Sequence, residues 1–195
     1  MRLLFSKWRI RERGTCRDWT SRFSTVWVLI KTSQRNSNQT GSPILEEGDI
    51  LLNTTLAETS DWQQVDLPVV STLRHFCIET LSSYTEDNQA CISEVDLLDD
   101  KGQPIDKTKW EVVYVSSEQA DKNLGIAENL FDGDISSFWH TDPATEPGQP
   151  HRIIVDIKEI YKISALRFKV RKGAFLSGKV KEINVYGRPQ FFLFH

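Results

Sequence analysis

The chain has 195 residues, of which 39% are hydrophobic and 26% charged, so it can form one or two packed domains and is not globally disordered. Its formal net charge is −3, but the first 40 residues carry nine basic and two acidic residues, against 15 basic and 25 acidic in the remainder. Because phosphate contacts supply most of the affinity for nucleic acids, the acidic body argues against a nucleic-acid partner.

Residues 1–41 are predicted to form a basic, disordered arm that ends in the polar stretch Thr32–Gly41, whose composition is typical of a linker. The apolar run Val26–Ile30 is far shorter than the ~20 residues of a membrane span, so no transmembrane segment is predicted. The run is also short for a signal peptide, and no small-residue cleavage site follows it. We expect the basic charges to be solvated, with contact to nucleic acid or anionic lipid as the alternative.

From residue 42 onward, short runs of alternating apolar and polar residues are separated by turn signals. In one such run Leu166, Phe168 and Val170 alternate with charged residues. This period of two is typical of half-buried antiparallel strands, and it predicts an all-β fold. Long helical periodicity is absent from the sequence, although residues 120–131 have room for one or two helical turns.

Two segments, 61–98 and 151–186, share a loose internal repeat. Each contains a strand with Val-Asp-Leu or Val-Asp-Ile, then a strand with Leu-Arg, and finally S-E-V-D-L or K-E-I-N-V. The repeat predicts that residues 42–103 form an incomplete β unit resembling the C-terminal half of a later domain at 104–190, with 191–195 as a tail.

The three cysteines, Cys16, Cys77 and Cys91, lack the paired spacing of a zinc site. Cys77 and Cys91 lie in strand-like segments and could pair in an oxidising compartment, but we favour two small buried hydrophobic residues.

Sequence motifs for catalysis are also missing, because the chain has no G-x-S-x-G, H-E-x-x-H or Walker loop. Its paired acids, such as Asp99 with Asp100, fall in predicted turns rather than in a cleft. We therefore predict no catalytic residues and no enzymatic activity.

The segment Glu128–Thr141, with the sequence ENLFDGDISSFWHT, contains the most specific motif of the chain. It resembles the A-x-N-x-x-D-G-x-x-x-[ST]-x-W-x-[ST] signature of discoidin domains (coagulation factor V/VIII type C), which include bacterial family 32 carbohydrate-binding modules. Segments similar to further strands of this family follow in order, at 150–157, 166–171 and 181–187. The resemblance covers about residues 107–188, and it implies an antiparallel β-sandwich of the jelly-roll, galactose-binding-domain-like type.

The resemblance implies a structural calcium ion in the Asp-Gly loop. Calcium takes six to eight oxygen ligands, and a tight turn with Gly133 in an unusual conformation can wrap carbonyl and carboxylate oxygens around one point. The alternative is an ordinary turn whose acidic residues face water. The implied ligands are the carbonyls of Asn129 and Asp134, the side chain of Asp132, the carbonyl or hydroxyl of Ser137, and Glu182.

The resemblance also implies a non-catalytic binding module that takes a glycan or glycoconjugate through loops at one end of the sandwich. Phe138 is a candidate for stacking on a sugar, whereas Trp139 is expected in the core. Loop charges such as Arg171 have solvated surface as the alternative reading. The candidate ligand contacts are His140, Arg171, Lys172 and Phe175.

The family resemblance leads us to expect an extracellular or cell-surface location. Two alternative functions remain open. The first is a protein- or membrane-surface adhesion domain that uses Ala174–Leu176 as an apolar spike. The second is a truncated remnant of a larger secreted glycan-processing protein.

Overall fold

The computed structural model describes residues 49–85, 87–121, 125–144, 148–171 and 177–189, so the predicted arm (1–41) and tail (191–195) lie outside it. The described residues form eight strands and one short 3₁₀ helix, Ala127–Leu130. The strands pair antiparallel, which confirms the predicted all-β class. They are β1 (Asp49–Thr55), β2 (Trp62–Ser83), β3 (Cys91–Ile92), β4 (Glu94–Asp99), β5 (Glu111–Val115), β6 (Trp139–His140), β7 (His151–Lys169) and β8 (Val180–Arg188).

The two longest strands, β2 and β7, run through both layers of the β-sandwich. The second half of β2 pairs with β8 and with the first half of β7, and these strands add β1 and β5 at the edges. The first half of β2 pairs with the second half of β7, which also pairs with β4. The pairing of β2 with β7 is irregular between Asp66 and Ser71 and again between Leu73 and His75. The strands change layer at the second irregularity, which lies opposite residues 156–161 of β7.

The bend of β7 is held by Asp156. Lys158, two residues later, has a φ of 70°, and its backbone N–H donates to Asp156 Oδ1 at 2.7 Å. Arg74 of β2 donates to both oxygens of the same carboxylate, at 2.9 and 3.1 Å. One buried carboxylate thus stabilises a backbone turn and joins the two long strands.

The main hydrophobic core lies between the layers, and a smaller cluster of Cys77, Ile154 and Tyr186 is separate from it. Phe76 and Ile78 of β2, Leu97 of β4, and Val155 and Phe168 of β7 belong to the same cluster and are almost fully buried. Alternation along each strand directs these side chains inward, as the sequence pattern predicted. The core therefore contains side chains from both sides of residue 103.

The predicted boundary after residue 103 separates strands that pair with each other. Strand β2 lies between β8 and β7 in the sheet, and β4 also pairs with β7. The two repeated segments begin in β2 and β7, which are antiparallel partners that cross both layers and therefore share an alternation pattern. We propose that residues 49–103, the described part of the predicted partial unit 42–103, complete the sandwich formed with the described residues of 104–189.

Cys77 and Cys91 are free thiols, and both are buried. Burial raises the pKa of Cys91 to about 12 and raises that of Cys77 as well. Both residues behave as the small buried hydrophobic groups that the sequence favoured.

Candidate functional site

The loop between Asn129 and Ser137 gathers oxygen atoms around one hydroxyl group. Ser137 Oγ lies 2.8 Å from Asp132 Oδ2, 2.9 Å from the carbonyl of Asp134 and 3.5 Å from the carbonyl of Asn129. Gly133 has a φ of 83°, a conformation that glycine adopts without strain, and this turns the chain sharply between the two aspartates. Four of the five predicted calcium ligands are therefore neighbours.

A second carboxylate, that of Glu94 at the start of β4, reaches the loop from the neighbouring strand. Its Oε1 accepts a hydrogen bond of 2.6 Å from the backbone N–H of Gly133, and its other oxygen pairs with the ammonium of Lys107. Glu94 is 1% exposed. Burial raises its pKa and the nearby Asp132 carboxylate adds to this, while Lys107 and the Gly133 N–H oppose the change.

Glu182, the fifth predicted ligand, lies elsewhere in the sheet. It is exposed on β8, pairs in register with Thr55 and Ser82, and accepts a 2.6 Å hydrogen bond from the Ser82 hydroxyl. The structure thus brings Glu94 to the loop where the sequence placed Glu182. The internal repeat contained this signal, because it aligns the glutamate of S-E-V-D-L, Glu94, with the glutamate of K-E-I-N-V, Glu182.

The donor set of the loop is made of oxygen only. Within the described part of the chain, no group of three or more His, Cys, Asp or Glu side chains is placed to hold a metal ion. A cation at this loop therefore depends on carbonyl and hydroxyl oxygens beside the carboxylates of Asp132 and Glu94. Such a mixed oxygen set suits calcium, which accepts all three donor types.

Trp139 anchors the other end of the motif in the core. It is fully buried, as predicted, and its indole N–H donates to the carbonyl of Ser117 at 3.0 Å. Its neighbour Thr141 exchanges backbone and hydroxyl hydrogen bonds with Ala90. These contacts fix the backbone of 139–141, so that the positions of Phe138 and His140 are also fixed.

Phe138, His140 and Arg171 form a cluster, which we call the ring cluster. The Arg171 guanidinium carbon lies 3.7 Å from the centroid of the Phe138 ring, the geometry of a cation–π contact. The rings of Phe138 and His140 meet edge to face at 6.4 Å. The family resemblance implied His140 and Arg171 as separate ligand contacts, and the structure places both against Phe138.

His140 is held at both ring nitrogens. Nδ1 lies 2.6 Å from the carbonyl of Thr141, which can only accept, and Nε2 lies 3.0 Å from the Ser177 hydroxyl. Burial lowers the pKa of His140 and Arg171 adds to this, against the hydrogen bond to Thr141. The ring is therefore neutral near pH 7 and fixed in one orientation.

The polar rim beside the ring cluster comes from two further segments of the chain. Ser177 Oγ lies 2.7 Å from Gln89 Oε1, and the Gly178 N–H donates to Asp87 Oδ2 at 2.9 Å. Gln89 and Ser177 were not predicted from the sequence, because ordinary polar loop residues belong to no motif. Two other predicted contacts, Lys172 and Phe175, lie outside the described residues, as does the apolar spike 174–176.

The described part of the chain contains no helix that is both long enough and apolar enough to cross a membrane.

Residues 112–190 match the sequence model of the F5/8 type C domain. A sialidase from Micromonospora viridifaciens is 33% identical over 84 residues, which is 42% of this chain but only 13% of that protein. The predicted resemblance to discoidin domains is therefore confirmed for this segment, which carries both the oxygen-rich loop and the ring cluster.

Proposed function

Because residues 112–190 match an F5/8 type C domain, we propose that the chain is a non-catalytic carbohydrate-binding module that contacts its glycan at the ring cluster. The observation that carries this proposal is the stacking of Arg171 on Phe138 beside His140. The three side chains come from two parts of the chain, and the buried Trp139 fixes the backbone between Phe138 and His140. Few but precisely placed polar groups beside an apolar surface are typical of small-ligand sites.

The chemistry of the ring cluster suits a sugar. Arg171 supplies several N–H donors in a fixed plane, and the contact with Phe138 holds that plane in one orientation. The hydroxyl of Ser177 and the amide of Gln89 add groups that both donate and accept. Sugar hydroxyls need such mixed partners, and an aromatic edge can cover the apolar face of a sugar ring.

We propose binding rather than catalysis because of how His140 is used. Both of its ring nitrogens are within hydrogen-bonding distance of protein oxygens, at 2.6 and 3.0 Å. A general base needs a nitrogen that faces the proton it removes. The His140 ring therefore serves to position its neighbours.

In line with the family, we also propose an extracellular or cell-surface location.

A structural calcium ion belongs to the same proposal. We propose that Asp132, Ser137 and Glu94, with the carbonyls of Asn129 and Asp134, hold this ion. The observed grouping of oxygens around Ser137 and the burial of Glu94 support it. Bound calcium would offset the repulsion between the two carboxylates and fix the loop that precedes Phe138 and Trp139.

The glycan proposal is tested by presenting the chain to a broad glycan array and then titrating it with the sugars that bind. We expect binding to one group of related glycans, and we expect Arg171→Ala to remove it. Arg167→Ala is the matched control, because Arg167 stacks on Trp62 at 5.1 Å in another part of the sheet. Silence of the parent chain across the array, with and without calcium, would refute the proposal.

The calcium proposal is tested by thermal unfolding with calcium or with a chelator. An ion present at about 100 times its Kd stabilises the folded state by about 2.7 kcal/mol. For a chain of this size that corresponds to a rise of roughly 5–11 °C in Tm. We expect Glu94→Gln to lose most of this rise and Glu182→Gln to keep it. A rise that depends on Glu182 and not on Glu94 would contradict the ligand assignment.

A further inference from the structure

A cavity of about 200 Å³ lies next to the ring cluster and shares Arg171 with it. Its wall comes from three parts of the chain, which are the 57–60 turn after β1, Tyr84 just after β2, and the residues Val170, Arg171, Lys179 and Val180. Apolar contacts come from Ala57, Val170 and Val180. Local sequence patterns could not predict this cavity, because its residues are spread over more than 120 positions.

Positive charge dominates the wall of the cavity. Arg171 and Lys179 line it directly, and Lys179 is only 17% exposed. Behind the wall, the Lys169 ammonium donates to the carbonyl of Ser60 at 2.8 Å, and the Lys181 ammonium lies 5.7 Å from the centre of the Tyr84 ring.

Two carboxylates face this group of cations. Glu58 lies 3.3 Å from Lys179, and its side chain is 55% exposed, so water screens much of its charge. Asp87 is turned toward the backbone, where it accepts from Gly178 and Gln89. Of the residues that line the cavity directly, Arg171 and Lys179 are cations and Glu58 is an anion, so the wall carries a surplus of one positive charge.

We infer that this cavity binds the anionic substituent, a carboxylate or a sulfate, of an acidic sugar whose ring lies at the ring cluster. The inference rests on the proposed function, because it names the class of glycan that the same loops would take. Arg171 connects the two parts, since its guanidinium stacks on Phe138 and the residue is also one of those that line the cavity. Planar guanidinium groups pair well with carboxylate and sulfate oxygens.

The size and lining of the cavity limit what it can hold. Pockets that enclose a drug-sized ligand have roughly 300–1,000 Å³, so about 200 Å³ suits one charged substituent or one sugar unit rather than an oligosaccharide. Thr59 and Tyr84 add hydroxyl groups to the wall, and the Tyr84 hydroxyl donates to the carbonyl of Leu56. Its oxygen keeps the capacity to accept from a ligand hydroxyl.

The first test uses inorganic sulfate and acetate, which need no sugar site. The full chain is titrated with each ion, and the backbone N–H of Lys179 and the side-chain N–H of Arg171 are followed by NMR. We expect the chemical shifts of both groups to change and saturate as the ion is added. Lys179→Met should weaken the affinity for the ion at least about tenfold, and Glu58→Gln should strengthen it about two- to threefold. Lys109→Met is the matched control, because Lys109 also pairs with a glutamate, Glu159, at 3.2 Å, but on an exposed surface.

The second test compares galactose, galacturonate and galactose 6-sulfate at low salt. We expect at least one acidic sugar to bind about tenfold more tightly than galactose, and this preference to shrink as salt screens the charges. Tighter binding of galacturonate identifies a carboxylate, and tighter binding of the sulfated sugar identifies a sulfate.

Two results would overturn the inference. The first is the absence of any ion-induced shift at Arg171 and Lys179, and the second is equal affinity for all three sugars. In either case the proposed function stands if the chain still binds neutral glycans on the array and if Arg171→Ala removes this binding. Ion binding with no glycan binding of any kind would instead support the cavity assignment and contradict the proposed function.

Discussion

Asp156 is the clearest place to test how the two long strands are joined. The residue is 1% exposed at the bend of β7 and is bound by Arg74 of β2 and by Lys158. Burial alone would raise its pKa, but the hydrogen bonds from Arg74 and Lys158 outweigh that effect and lower it from 3.8 to about 2. Asp156→Asn removes the charge and keeps the size of the side chain.

The size of the effect follows from the change in pKa. A fall from 3.8 to about 2 corresponds to roughly 2 kcal/mol of stability, at about 1.4 kcal/mol per pKa unit. Because the folded-state pKa is the lower one, this stability is fully present above about pH 4 and is lost as the pH falls through about 2. The parent chain should therefore exceed Asp156→Asn by about 2 kcal/mol at neutral pH and by almost nothing near pH 2.

Urea unfolding followed by tryptophan fluorescence, repeated between about pH 7 and pH 2, measures this difference. Titrating groups that do not contact Asp156, such as Glu79, contribute equally to both proteins and cancel. His75, whose Nε2 lies 3.5 Å from Asp156 Oδ1, is the exception. Asp100→Asn, at an exposed residue in the turn after β4, should follow the parent chain at every pH. A stability difference between the parent and Asp156→Asn that does not change with pH would refute the reasoning.

Two other changes test the turn at Gly178, beside the ring cluster, and the proposal that residues on both sides of position 103 form one sandwich. Gly178→Ala should lower the stability measured by thermal unfolding by about 1–3 kcal/mol, and by more than Gly102→Ala does. Both glycines have a φ of 76°, but only at Gly178 would the new Cβ lie 2.9 Å from the backbone of Ala90. Equal losses would show that the contact with Ala90 is unimportant. A fragment of residues 104–189 should lack cooperative unfolding and dispersed NMR signals, because it loses β2 from the middle of the sheet. A well-folded fragment would contradict our proposal of one sandwich.

Local patterns in the sequence predicted the strands but not their length. Alternation identified the pieces around Val65, Phe76, Val155 and Phe168, because each piece lies in one layer with one face toward the core. At the irregularities the alternation restarts, since a strand that changes layer must turn its other face inward. The sequence therefore predicted several short strands where the structure has two long ones.

The local sequence pattern could not predict which distant strands pair with each other. Strand β2 pairs with β7 at separations that range from about 70 to more than 100 residues, and nothing in either strand specifies its partner. The internal repeat was the nearest signal. Its two copies are similar because β2 and β7 both cross from one layer of the sandwich to the other.

The motif at 127–141 predicted most of the candidate site, because its turn residues and its buried tryptophan have local causes. Asn129, Asp132, Asp134 and Ser137 are neighbours in the structure, as the resemblance implied. Glu94 and the residues of the cavity were missed, since they reach the site only through strand pairing. Local chemistry was thus predictable, whereas the partners supplied by other strands were not.

The position of Glu94 has a consequence for the matched segment as a whole. Residues 112–190 contain the oxygen-rich loop, yet the buried carboxylate that contacts this loop precedes the segment by 18 positions. Glu94 reaches Gly133 because β4 pairs with the second half of β7, where Glu94 lies opposite Lys169. Glu182, inside the matched segment, is held at the other side of the sheet by β1 and β2. The proposed calcium binding and the proposed completion of the sandwich therefore depend on the same strands, so a chain that lacks residues 49–103 should lose both together.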